Sequence, residues 1–105
     1  HCAAIAKLLK ITNPVGNDDI ELSDDNLAPG YGKINDAVLE AIKLSAHQEG
    51  LILDPVYTGR AMAGFIQLAR QTNQEKTLLF IHTGGQPAIF GYAVDIEPLL
   101  SVAKQ

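Results

Sequence analysis

Three short stretches hold the residues best able to do chemistry. In the first, Thr77-Leu78-Leu79-Phe80-Ile81 runs into His82-Thr83-Gly84-Gly85 and then Gln86-Pro87. In an open α/β sheet, ligands bind beyond the carboxyl ends of the strands. Glycines there let backbone N–H groups approach a ligand, and a following helix N-terminus favours negative charge. Thr83 adds a hydroxyl that donates or accepts. The same pattern also serves as a tight strand-to-helix turn with no ligand. The second stretch, Asp54-Pro55-Val56-Tyr57-Thr58-Gly59-Arg60, also follows an apolar run, Leu51-Ile52-Leu53, and precedes a helical stripe. Tyr57 can stack on a flat ligand or hydrogen-bond through its hydroxyl, or it can plug the end of a sheet. Arg60 reads as helix surface. The third stretch is Gly30-Tyr31-Gly32, a loop whose glycines permit close backbone approach and can bring Tyr31 to the edge shared by Tyr57 and Thr83.

Other constellations are weaker. His1, His47 and His82 have no metal-ligand spacing with one another or with Cys2. Asp18, Asp19, Glu21, Asp24 and Asp25 cluster between Asn17 and Pro29, but no His or Cys joins them, so a solvated loop is the simpler reading. No Ser sits in a nucleophile-elbow context. Cys2 has no base or cation near it beyond His1, which makes an inert thiol the default.

The elements that would position these residues follow from local signals. Cys2 to Leu9 reads as a helix, stopped by Asn13-Pro14. Ile20 and Leu22 allow one short strand. Asn35 or Asp36 can cap a helix running to about Glu49, with Val38, Leu39, Ile42 and Ala46 as its apolar face and Gly50 as its stop. Leu51 to Leu53 is a short apolar strand. A second helix covers about Arg60 to Gln71, with Met62, Phe65, Ile66 and Ala69 as a core stripe. Thr77 to Ile81 is apolar on both faces, as a central parallel strand is. A short helix around Ala88 to Tyr92 and a last one from about Glu97 to Lys104 close the chain. This is α/β: part of an open, mostly parallel sheet with flanking helices. With two or three strands it reads as a single, incomplete unit over residues 1–105, whose sheet another segment completes.

Composition bounds the partners. The 105 residues carry a formal charge of −4 with 19% charged and 47% hydrophobic residues, which excludes a disordered chain. A pI near 5.1 argues against nucleic acid or an anionic membrane. One cysteine gives no disulfide framework, so a cytoplasmic setting is expected. No apolar run reaches the ~18 residues of a membrane span. The chain opens on His1 without Met, as a processed product or a piece of a longer polypeptide does.

Taken together, Gly30-Tyr31-Gly32, the run Gly50 to Gly64 around Asp54-Pro55-Val56-Tyr57-Thr58-Gly59-Arg60, and Phe80-Ile81-His82-Thr83-Gly84-Gly85-Gln86-Pro87-Ala88 resemble the C-terminal part of D-cysteine desulfhydrases. These group with 1-aminocyclopropane-1-carboxylate (ACC) deaminases in the tryptophan-synthase-β-like family that uses pyridoxal phosphate. The resemblance runs from about Asp18 to Tyr92, and the order of the three motifs makes it specific. It favours the piece of a longer polypeptide.

The resemblance implies an enzyme roughly three times this length whose cofactor lysine and phosphate-binding loop lie upstream, so this segment alone is not expected to turn over substrate. It implies a large-domain segment carrying one wall of the pyridoxal phosphate site, a small amino-acid substrate, the N-terminal part of the same enzyme as partner, and a homo-oligomer. The implied catalytic residues are Tyr57, beside the cofactor and substrate carbon, and Tyr31. The implied cofactor-binding residues are Thr83 beside the pyridine nitrogen, with Thr58, Gly84 and Gly85. The deaminase branch has Glu where Thr58 stands and a residue without a hydroxyl where Thr83 stands. A threonine leaves the ring a weaker electron sink than a carboxylate does, which suits β-elimination of a good leaving group. The implied reaction converts D-cysteine or a related amino acid to a keto acid, ammonia and sulfide. An ACC deaminase-type enzyme and a non-catalytic α/β ligand-binding module are the competing readings. A lysine in a Lys-Ser-Asn-like context upstream separates enzyme from module.

Overall fold

The computed structural model describes residues 1–73 and 75–100. In chain order it comprises α1 (Cys2–Leu9), a 3₁₀ turn (Asn17–Asp19), α2 (Asp36–Glu49), α3 (Thr58–Gln71), a 3₁₀ segment (Gln86–Tyr92) and α4 (Ala93–Leu100). Helix accounts for 54% and strand for none among the described residues.

The expected open, mostly parallel sheet is therefore absent, and the α/β assignment is corrected to a helical one. A helix satisfies its backbone within four residues, whereas a strand exists only through the ladder it forms with a partner. Leu51 to Leu53 and Thr77 to Ile81 have strand-like composition but form no ladder among the described residues. Just past the second run, His82 Nε2 meets the Ile52 carbonyl at 3.0 Å. The strand allowed at Ile20 and Leu22 does not form either. The run at Thr77 to Ile81 stays largely uncovered, with Leu79 81% and Ile81 70% exposed.

The core lies where α2 crosses α3. Val38, Ala41 and Ile42 of α2 meet Met62 and Ala63 of α3 around a fully buried Leu53. Phe80 closes one side, its ring edge-on to Phe65 at 5.8 Å between centroids. The buried stripe of α2 is Val38, Ala41, Ile42 and Ser45, a spacing of three and four residues that keeps one face inward. Ala46, expected inside, falls one position off that stripe and is exposed. Ala69, at the far end of the α3 stripe, is exposed as well.

Local stop and start signals act as expected in α2. Asn35 Oδ1 accepts from the Val38 amide at 2.9 Å, and Gly50 ends the helix with φ of 66°, a left-handed turn that glycine enters at least cost. At α1 the stop comes earlier than Asn13-Pro14: Lys10 turns left-handed, and the Ile11 amide donates back to the Ala6 carbonyl at 3.0 Å. The last helix starts at Ala93 rather than about Glu97, and its expected end at Lys104 lies outside the described residues. The chain is extended, with a radius of gyration of 16.8 Å against about 13 Å for a compact domain of this length.

Candidate functional site

Tyr57 stands at the N-cap of α3, and its place is set by Asp54. The Asp54 side chain is buried and fully occupied. Oδ2 accepts from the amides of Val56 at 2.9 Å and Tyr57 at 2.8 Å. Oδ1 accepts from the amide of Thr58 at 2.9 Å and from its hydroxyl at 2.7 Å. Thr58 Oγ1 in turn accepts from the Asp54 amide at 2.9 Å. A carboxylate at a helix start meets both unpaired amides and the positive end of the helix dipole. Burial alone would raise the Asp54 pKa; the Thr58 hydroxyl and the amides of Thr58, Tyr57 and Val56 outweigh it, and the net shift is downward.

Tyr31 reaches Tyr57 from the other side. Their hydroxyls are 2.6 Å apart, and their rings meet edge-on at 6.1 Å and 65°. The hydrogen bond to Tyr31 is the main cause holding the Tyr57 phenol above its ordinary pKa, with the Tyr31 charge, burial and the charges of Asp54 and Tyr92 adding to it. Tyr31 sits between Gly30 and Gly32, both with positive φ. Gly32 is fixed by Tyr92, whose hydroxyl donates to its carbonyl at 2.9 Å.

Arg60 holds the rest of that loop. It is 9% exposed, not the helix-surface residue expected. Its guanidinium donates to the carbonyls of Asn26 at 2.6 Å, Ala28 at 3.2 Å and Gly30 at 2.8 Å, and to that of Lys33. Asn35 Nδ2 donates to the Ala28 carbonyl as well, at 2.9 Å.

The His82–Gly85 loop packs on Asp54. Gly85 has φ of 93°, and a Cβ there would lie 2.7 Å from Asp54 Oδ1. His82 braces the turn: its Nδ1 accepts from the Gly84 amide at 3.1 Å, so Nε2 carries the proton donated to Ile52. Thr83 is exposed and lines, with Tyr57, Val56 and Ile81, an open cavity of about 490 Å³.

The structure thus brings Tyr31, Tyr57 and Thr83 into one neighbourhood without the sheet that was expected to align them. Gly84 has open space where a Cβ would stand. The Thr58 hydroxyl is directed into Asp54 rather than toward the cavity's open side. Asp54 and Arg60 were missed as positioning groups. An aspartate just before a helix is a legible capping signal; the Arg60 partners, 27–34 residues away in sequence, leave no local trace. Among the described residues no cluster of His, Cys, Asp or Glu could hold a metal ion. No described helix is long and apolar enough to cross a membrane.

Fold and cavity define a helical segment bearing a candidate ligand site lined in part by the hydroxyl-bearing side chains of Ser23, Tyr57 and Thr83. The chain is 55% identical over 91 residues to the D-cysteine desulfhydrase of Salmonella typhi, and equally to those of Salmonella newport (strain SL254) and Salmonella heidelberg (strain SL476). The match covers 85% of this chain and 27% of each relative. No family model matches the chain. By sequence the chain is a relative of the D-cysteine desulfhydrases, spanning about a quarter of the length of the curated relatives it matches.

Proposed function

We propose that this chain forms the tyrosine-bearing wall of the substrate and cofactor site in a cytoplasmic, pyridoxal phosphate-dependent lyase of D-cysteine desulfhydrase type, completed by an N-terminal part of the same enzyme. The observation that carries this is that Tyr57 and Thr83 line one cavity while the Tyr31 hydroxyl meets that of Tyr57 at 2.6 Å. The donor set suits the cofactor. An exposed Thr83 hydroxyl can pair with a pyridine nitrogen, an exposed Tyr57 ring offers a flat face, and the open space at Gly84 admits a ligand to the backbone. When bound, pyridoxal phosphate draws electrons from the α-carbon of the amino acid.

The residues here do the positioning. Thr83 would hold the ring nitrogen without a full charge, which leaves a modest electron sink adequate for losing a thiol from the β-carbon. A phenol is protonated at neutral pH, and the Tyr31 hydroxyl shifts that of Tyr57 further in the same direction, so Tyr57 would be able to donate to the substrate. Tyr31 would line the carboxylate or leaving-group side and fix the Tyr57 hydroxyl.

The test is a graft of this chain in place of the matched segment of a Salmonella D-cysteine desulfhydrase. The hybrid should bind pyridoxal phosphate, seen by its absorbance, and release sulfide and keto acid from D-cysteine. The 105-residue chain alone should give no more turnover than free cofactor. A folded, cofactor-loaded hybrid with no activity on D-cysteine would overturn the reading.

A further inference from the structure

We infer that Arg60 is a positioning residue that sets the distance between Tyr31 and Tyr57 by clamping the 26–33 loop onto the first turn of α3. The inference rests on the proposed role of the tyrosine pair for its functional meaning, and on geometry alone for its physical content. Tyr57 and Arg60 lie three residues apart at the start of one helix, so their spacing is rigid. The loop that bears Tyr31 has no regular structure between the 3₁₀ turn and α2, and two glycines with positive φ flank the tyrosine. The Lys33 amide closes a turn over Tyr31 by donating to the Gly30 carbonyl at 3.2 Å, and Asn35 and Tyr92 brace Ala28 and Gly32, but none of these ties the loop to α3.

The guanidinium supplies that hold. Its two terminal nitrogens each bridge two carbonyls, Asn26 and Ala28 from one, Gly30 and Lys33 from the other. These acceptors bracket Tyr31 on both sides. Among the described residues the one ion pair is Arg70 with Glu40, so the buried Arg60 charge is met by backbone oxygens. A planar fork of five donors can span four carbonyls; an ammonium with three donors on a flexible stem cannot hold the same span. A residue that only filled space would need neither the charge nor the fork.

Tyrosines labelled in the ring and followed by NMR test this in the 105-residue chain. There are three, Tyr31, Tyr57 and Tyr92, each assigned through its Phe variant. In the wild type the Tyr31 and Tyr57 rings should show a direct contact, and Tyr57 should titrate above an ordinary phenol. Arg60→Met should abolish the contact and shift the Tyr57 titration back down, with helix content unchanged. Arg60→Lys should fold and leave the contact weakened at least twofold. Retention of both signals in Arg60→Met would overturn the proposal, as would loss of helix in both variants, which would make Arg60 a general prop. If Arg60→Met alone fails to fold, an unweakened contact in Arg60→Lys overturns it. The functional reading fails separately: an inactive hybrid with the tyrosine contact intact would sink that reading and leave the clamp standing.

Discussion

The Cα of Gly85 lies so close to the Asp54 carboxylate that a Cβ would come within 2.7 Å of Oδ1. This contact ties the loop carrying Thr83 to the helix start carrying Tyr57. Two parts of the candidate site, distant in sequence, thereby pack against one buried acid.

Gly85→Ala should therefore loosen the Thr83 loop and destabilise the fold. The left-handed backbone and the close approach together should cost about 1–3 kcal/mol, read as a lowered urea midpoint. An unchanged midpoint would show that the loop moves off Asp54 freely. Gly84→Ala, strained in backbone but open in space, should leave the Asp54 contact intact.

Asp54→Ala should cost about 2–4 kcal/mol, because it removes a helix cap and strands buried donors. Asp54 also predicts the acid limb of stability. Its folded pKa lies below the unfolded value, so its contribution is fully present above the unfolded pKa of about 3.9 and is lost as pH falls through the folded value. Asp54→Asn should be less stable at neutral pH and flatter in that acid range. Parallel acid profiles for the two proteins would rule this out.

Tyr31→Phe should lower the Tyr57 titration toward that of an ordinary phenol, since the Tyr31 hydroxyl is the main cause of its elevation. The raised pKa implies stabilisation fully present below the unfolded phenol value and lost as pH rises through the folded one. In the hybrid enzyme, Tyr57→Phe should lower sulfide release by about 10²-fold while cofactor absorbance is kept. Wild-type rates would remove Tyr57 from the reaction.

Leu53 and Leu79 make a matched pair. Leu53 is fully buried and Leu79 is 81% exposed. Leu53→Ala should cost about 2–5 kcal/mol, whereas Leu79→Ser should stay within about 0.5 kcal/mol of wild type. Equal losses on denaturant unfolding would mean that the 77–81 run is covered in solution.

What the sequence determined by itself was local or carried by resemblance. The span of α1 and the bounds of α2 were legible because a helix closes its hydrogen bonds within four residues, and in α2 the Asn35 cap and the Gly50 stop mark the ends. The candidate residues Tyr31, Tyr57 and Thr83 were legible as motifs. Tertiary structure decided everything that depends on distant partners. Apolar runs at Leu51 to Leu53 and Thr77 to Ile81 have the composition of strands, but a strand requires a neighbouring strand, and none pairs with them among the described residues. Arg60 looks like helix surface in sequence, because the carbonyls that bury it are 27–34 residues away. Thr58 reads as a ligand contact until the fold turns its hydroxyl onto Asp54. Local periodicity reports which residues are apolar and which are punctuating; only the packed chain assigns each polar group its partner.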